Sequence, residues 1–380
     1  MRVIVIGGGI GGMTAALALE RKGIHVEVFE RAPRLTEVGA GVSLWPNALK
    51  GLHQLGMRAA LDSMSVAVQD GALRSAAGTI LSRTSADEFV RRFGLPTTVF
   101  HRAELMDALV RAARNVPIHL GHECRDIEQN ADVITASFVN GARASCDVLV
   151  GADGLRSVVR ERLGIEGALR YAGYTAWRGL TAFDTRGMIG GETLGRGQRF
   201  GVVPITNDRV YWYATDNTPA GQDEPPDEAK ARLRALFGRW HPPIPAILDT
   251  TDPATILRND IYDRDPVDRW GAGRITLLGD AAHPMTPNLG QGACQAIEDA
   301  LVLARCLADG PDAEASLRRY ESERAGRTAS IVNASRRVGW MFQIESPVLC
   351  RLRDLLLGLM PASLSYRSLA PVIGFEGHLH

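Results

Sequence analysis

Val3-Ile4-Val5-Ile6-Gly7-Gly8-Gly9-Ile10-Gly11-Gly12 decides the fold of this chain. Four branched or apolar residues in a row predict a strand buried on both faces, as in a parallel sheet. The spacing of Gly7, Gly9 and Gly12 satisfies G-x-G-x-x-G. Met13–Arg21 then predicts a helix with Gly23 as its stop, and His25–Glu30 a second strand, completing a βαβ unit. In such a unit Gly7 permits the tight turn, Gly9 lets the backbone approach a pyrophosphate, and Gly12 lets the helix pack on the strand. The anion meets the free N–H groups at the helix start. Glu30 ends the second strand, where a carboxylate takes a ribose hydroxyl. Gly11 in the turn and Arg31 beside Glu30 belong to the same candidate site.

Working outward, a second strand-to-turn segment lies far along the chain: Ile275-Thr276-Leu277-Leu278 runs into Gly279-Asp280-Ala281-Ala282-His283-Pro284. Asp280 is placed to accept from polyol hydroxyls, with a helix cap as the competing reading. A third strand, over Ser145–Val150, ends in Gly151-Ala152-Asp153-Gly154; taken alone, Asp153-Gly154 reads as a plain turn. One large dinucleotide held from both ends of the chain points to FAD and redox chemistry.

The rest of the sequence sets bounds. At 380 residues, 45% of them apolar, the chain predicts two domains or one with a large insertion. Its 43 basic residues balance 43 acidic ones, so no overall attraction to a nucleic acid is expected. An odd count of five cysteines, without C-x-x-C, suggests neither a disulfide framework nor a zinc site, and no histidine spacing suggests a metal; a reducing cytoplasm fits. Met1–Leu19 resembles an export signal in charge, but its glycine run argues against a continuous apolar core. No stretch is long and apolar enough for a transmembrane helix.

Residues 166–271 change character. Arg199–Pro204 and Arg209–Tyr213, separated by Thr206-Asn207-Asp208, predict an antiparallel hairpin. Thr218–Pro226 reads as a loop and Asp227–Trp240 as a helix. Strand-rich sequence between α/β segments predicts an inserted second domain. Helices are expected over 292–308 and Leu317–Arg337. The tail from Pro347 to Pro361 is apolar at helical spacing, and packing on the body is preferred over a membrane-facing role.

These motifs together resemble the FAD-dependent aromatic hydroxylases of the p-hydroxybenzoate hydroxylase type. The chain is most similar to the short subgroup with salicylate, 3-hydroxybenzoate and FAD-dependent urate hydroxylases. The resemblance implies an α/β chain: a Rossmann-type FAD-binding domain (1–75, 99–165 and 272–345), an inserted antiparallel β-sheet substrate domain (76–98 and 166–271), and a C-terminal helical tail (346–380). It further implies noncovalent FAD held by the glycine turn, Glu30, Asp153 and Asp280. Gly290, Gln291, Gly292, Ala293 and Cys294 would open a helix facing the flavin N1–C2=O edge, beside Pro287. Val42 and Ser43, in the glycine-rich stretch Gly39–Asn47, would run past the ribityl chain. Arg102 matches a cofactor arginine, and Cys124 falls where backbone meets adenine.

The activity implied is a monooxygenase using NADH or NADPH and O2, hydroxylating a small aromatic or heteroaromatic substrate through a flavin C4a-hydroperoxide. A single fingerprint implies that the nicotinamide donor binds transiently. Arg199 and Tyr211, one on each arm of the hairpin, match substrate positions of the urate-hydroxylating branch, with Arg178 a further candidate. A buried Arg199 would call for an anionic substrate, and Gly201 would leave room for its ring. A same-fold epoxidase or N-hydroxylating enzyme, or a non-catalytic binding protein, are the alternatives. The chain is expected to be a cytoplasmic monomer or homodimer with no metal.

Overall fold

The computed structural model describes residues 1–35, 41–64, 66–67, 70–206 and 208–375. Gly39, Ala40 and Asn207 of the expectations above lie outside them. The first strand, Arg2–Ile6, is buried from Val3 onward and sits at the centre of a five-stranded parallel sheet. Across that sheet the order is Ile275–Leu277, Val148–Gly151, Arg2–Ile6, His25–Glu30 and Ile118–Leu120. The helix Ile10–Arg21 covers it and packs on the helix Gly292–Asp309. Residues far apart in sequence thus form one core, running from Val5 to Leu303.

The expected strand over Ser145–Val150 is two strands. Arg143–Cys146 belongs to a three-stranded antiparallel sheet, while Val148–Gly151 enters the parallel one. Asp147 marks the switch: its carboxylate accepts from Arg2 N at 2.6 Å, and its own N–H donates to Arg2 O. Both halves are apolar enough to read as one run, so only the pairing separates them.

The insertion forms a seven-stranded sheet in the order Leu257–Asp263, Arg170–Ala182, Arg209–Asp216, Gln198–Ile205, Gly191–Leu194, Gly71–Ser75 and Ile80–Thr84. It is antiparallel except where Gly191–Leu194 runs parallel to Gly71–Ser75. This corrects the expected boundary at residue 75. Gly71–Ser75 is one arm of a hairpin with Ile80–Thr84, and the two arms stay in one sheet. The hairpin expected around Arg199 is present, from Gln198–Ile205 to Arg209–Asp216. Alternation along these strands sends Phe200, Trp212 and Trp177 to the back, onto Leu233 and Phe237 of Pro226–Phe237 and Ile247 of Ile244–Thr250. Arg199, Gly201, Tyr211 and Tyr213 go to the front.

The C-terminal helices are Ala313–Phe342, Pro347–Leu359 and Ala362–Ile373. The helix Pro347–Leu359 packs on Ile80–Thr84 and buries Cys350, Arg353 and Leu357. Its other face is open, so packing on the body accounts for only half of it. Among the described residues no helix is long and apolar enough to cross a membrane.

Candidate active site

Three adjacent parallel strands end at the same edge, which brings Gly7–Gly12, Ala152–Leu155 and Gly279–Asp280 together. Open α/β sheets bind ligands at this edge. Gly7 has φ +108°, and a Cβ there would lie 2.3 Å from Ala152 O; at Gly12 it would lie 1.9 Å from Gly7 O. Nothing stands within 4 Å of a Cβ built on Gly9. The turn is therefore closed on its protein side and open on the other.

Two helix N-termini converge on that opening. Neither Ile10–Arg21 nor Gly292–Asp309 has a side-chain cap. Side-chain oxygens of Ser85, Ser157 and Asp312 cap only some of the other helices, so what marks these two ends is that Gly9–Gly11 and Gly292–Ala293 line the same opening. Uncapped ends leave donors and partial positive charge for a ligand. Between the strand edge and the front of the seven-stranded sheet lies a cavity of about 1890 Å³. Small-molecule pockets commonly span roughly 300–1,000 Å³, so this one has room for a dinucleotide with a substrate beside it. Gly9, Gly11, Val42, Ser43 and Arg102 line it, as do Asp280, Pro287, Gly290, Gly292 and Ala293. Solvent reaches Asp280 through the cavity, while surrounding protein raises its carboxyl pKa against the pull of His283 and Arg102. The set of open glycine turn, two uncapped helices and cavity-facing carboxylate fits FAD.

Several expected cofactor residues act indirectly. Glu30 accepts from Gly8 N at 2.6 Å and Ala32 N at 2.8 Å, fixing the turn to the end of the second strand; Arg31 is exposed beside it. Asp153 accepts from Ser157 Oγ at 2.5 Å and Val158 N at 2.7 Å, so its carboxylate anchors the helix Val158–Arg162. Its neighbours Ala152, Gly154 and Leu155 are the ones that reach the cavity. Gln291 turns inward: its Oε1 accepts from Asn47 and Gln295, both at 3.0 Å. The Cys294 Sγ accepts from Trp45 N at 3.5 Å. Burial pushes the Cys124 and Cys294 thiols up to about 12, which keeps both protonated near neutral pH.

The roof of the cavity carries the substrate candidates. Arg199, Tyr211 and Arg178 all reach it. Burial raises the Tyr211 hydroxyl pKa, although Arg178 hydrogen-bonds it and Arg102 lies near. Arg178 also donates to Asn259 Oδ1 at 2.7 Å. Arg199 differs from the expectation. It is buried, but it donates to Asn288 Oδ1 at 2.7 Å and Gln343 Oε1 at 2.8 Å, and Glu192 Oε1 lies 3.3 Å away. The protein itself neutralises this guanidinium, so its burial does not require an anionic substrate. The room beside Gly201 is also taken: a Cβ there would lie 2.1 Å from the Tyr213 ring.

Sequence reasoning missed what holds the Asp280 turn. His283 Nε2 lies 2.6 Å from Asp299 Oδ2, which also accepts from Gly279 N at 3.0 Å. Arg324 bridges Asp299 and Glu298, each at 2.6 Å. Arg160 donates to the carbonyls of Ala281 and Ala282 at 3.1 and 3.0 Å. These are contacts between distant segments with no local sequence signature. Local sequence patterns single out only His283, whose place in the turn points to support rather than catalysis.

Asp280→Ala removes the cavity-facing carboxylate and keeps this support. FAD affinity is expected to fall by roughly 10- to 150-fold, from about 1.5–3 kcal/mol for a charge-assisted hydrogen bond. Titration of apoprotein with FAD checks it; unchanged affinity would remove Asp280 from the site.

Residues 1–335 match the family described as FAD binding domain. Aurachin C monooxygenase/isomerase of Stigmatella aurantiaca is 41% identical over 362 residues, covering 95% of this chain and 94% of that protein. 3-Amino-4-hydroxybenzoate 2-monooxygenase of Streptomyces cremeus is 37% identical, covering 93% and 91%. The crystal structure of Klebsiella pneumoniae HpxO complexed with FAD and uric acid superposes with a TM-score of 0.92 at 32% identity, over 98% of this chain and 96% of that one. With its glycine turn, uncapped helices and Asp280 arranged around one cavity, the chain belongs to the FAD-dependent aromatic monooxygenases.

Proposed function

We propose that this enzyme is an NADH- or NADPH-consuming hydroxylase of a small, planar heteroaromatic substrate that offers ring N–H or O–H donors. The observation that carries the reading is the pair of polar poles on the cavity roof. One is the Tyr211–Arg178 pair. The other is Glu192, whose Oε1 is buried at the cavity, ion-paired with Arg199 at 3.3 Å but accepting no hydrogen bond. Tyr211, kept protonated, donates to a ring carbonyl or nitrogen, and Glu192 Oε1 accepts from a ring donor. Val203, Ile205 and Val99 add an apolar wall next to Tyr211. Bound FAD supplies electron transfer from the nicotinamide donor and activation of O2, one oxygen going to substrate and the other to water. The residues of the chain orient the ring and exclude water. The single glycine fingerprint supports a donor that visits transiently.

The test is a screen of purines, quinolones and phenolic acids, measuring NAD(P)H consumed, product formed and peroxide released. Donor-bearing heteroaromatics are expected to give product close to stoichiometric with NAD(P)H. Glu192→Gln keeps the size and loses the charge. It is expected to raise KM and divert roughly half or more of the turnover to peroxide, since an unpaired buried partner costs about 1–3 kcal/mol. Coupled turnover confined to carboxylates, with Glu192→Gln unchanged, would overturn the assignment.

A further inference from the structure

The exposed face of Pro347–Leu359 is an apolar stripe. Val348, Leu349, Leu352, Leu355, Leu356 and Leu359 recur at helical spacing, and Val348 and Leu359 are 71% and 70% exposed. Leu364, on the following helix Ala362–Ile373, is also exposed, as is Trp340, at 74%, near the end of Ala313–Phe342. Scattered apolar exposure is ordinary on a soluble surface, but a face this continuous marks an interaction site.

Its rim identifies the occupant. An exposed arginine lies three residues from an exposed apolar side chain in each helix: Arg337 with Trp340, Arg351 with Val348, and Arg367 with Leu364. Residues three apart on a helix are neighbours on one face. These arginines form no ion pair among the described residues. The acidic groups of the same end are engaged: Arg353 donates to Asp354 Oδ1 at 2.9 Å, and Asn217 to Glu345 Oε1 at 2.8 Å. In a twofold dimer the same patch faces itself, which sets arginine rim against arginine rim, whereas anionic headgroups would neutralise that rim.

We propose that this face docks on a lipid surface with anionic headgroups. The leucines enter the acyl boundary, Trp340 sits at headgroup level, and the arginines lie over apolar stems with their charges at the phosphates. The same set of helices supplies Val338, Phe342 and Leu369 to the cavity wall, so docking sets the catalytic cavity beside the bilayer. Peripheral docking needs no spanning helix.

Flotation of the FAD-loaded enzyme with phosphatidylcholine vesicles, with and without phosphatidylglycerol, tests this. Binding is expected to favour the anionic vesicles by roughly fivefold per arginine and to fall with salt. Leu352→Ser with Leu355→Ser and Leu359→Ser is expected to abolish it. Arg351→Glu with Arg367→Glu is expected to erase the anionic preference. FAD content and turnover of a soluble substrate serve as the folding control, because none of these side chains reaches the cavity. Absence of vesicle binding by the wild type overturns the proposal. So does a dimer, seen by light scattering, that the leucine substitutions convert to monomer, since the face then joins two copies of this chain.

Discussion

Arg324→Leu is expected to lower the melting temperature by roughly 4–6 °C, a large effect for a single change away from the cavity. Arg324 is fully buried and its guanidinium meets Glu298, Asp299 and the Gln295 side chain, the last at 2.7 Å. Leucine fills part of the volume but leaves two buried carboxylates without their main partner. Breaking a buried pair by removing one member costs about 3–5 kcal/mol. Arg327 still reaches Glu298 at 2.8 Å, so Asp299 suffers most. Burial alone would raise the Asp299 carboxyl, but His283 and Arg324 hold it at about 2. A carboxyl depressed below its unfolded value of about 3.9 stabilises the fold above that pH, and the contribution fades as pH falls toward 2. The gap between wild type and Arg324→Leu should therefore narrow between about pH 4 and pH 2. Calorimetry across that range is the measurement; equal melting at pH 7 would show that the cluster carries no net stability.

Gly12→Ala and Gly9→Ala are expected to separate folding from cofactor retention. The Gly12 Cβ would collide with backbone, Gly7 O, at 1.9 Å, and no side chain can rotate away to relieve it. The turn must open, at a cost of about 1–3 kcal/mol or more, so both apoprotein stability and FAD retention fall, the latter at least about tenfold. The Gly9 Cβ meets nothing in the protein. Its methyl stands instead where a pyrophosphate approaches, so Gly9→Ala should melt like wild-type apoprotein yet bind FAD weakly. Flavin absorbance of the purified variants and melting of their apo forms give both readouts. A Gly9→Ala protein with full flavin content would show that the pyrophosphate does not approach there.

What could be read from the sequence was what local chemistry encodes. Gly7 and Gly12 announce a turn because a side chain there would strike backbone, Gly9 marks its open side, and Asp280 is legible because a buried strand precedes it. The front and back of the hairpin follow from alternation. Glu192 was invisible: within Gly190-Gly191-Glu192-Thr193-Leu194-Gly195 it sits on a short strand defined by its neighbours, Gln198–Ile205 and Gly71–Ser75, rather than by its own pattern. Arg199 was found, but its neutralisation by Glu192 was not, and the anionic-substrate inference rested on that missing partner. Arg324 lies inside the helix expected over Leu317–Arg337, whose many Arg and Glu residues look solvated until the packing of Gly292–Asp309 is known.

The two converging helix starts belong to segments that leave the ribosome far apart in time. Ile10–Arg21 emerges early, while Asp280 and Gly292–Asp309 follow after nearly three quarters of the chain. The strand Ile275–Leu277, which carries the Asp280 turn, joins the sheet only by pairing with Val148–Gly151. A nascent chain halted inside the insertion therefore owns the Gly7–Gly12 turn but neither the Asp280 carboxylate nor the second helix end. If flavin capture needs both halves of the cavity, it acts as a completeness check on translation: only a chain whose late segments have been made and docked would hold the cofactor.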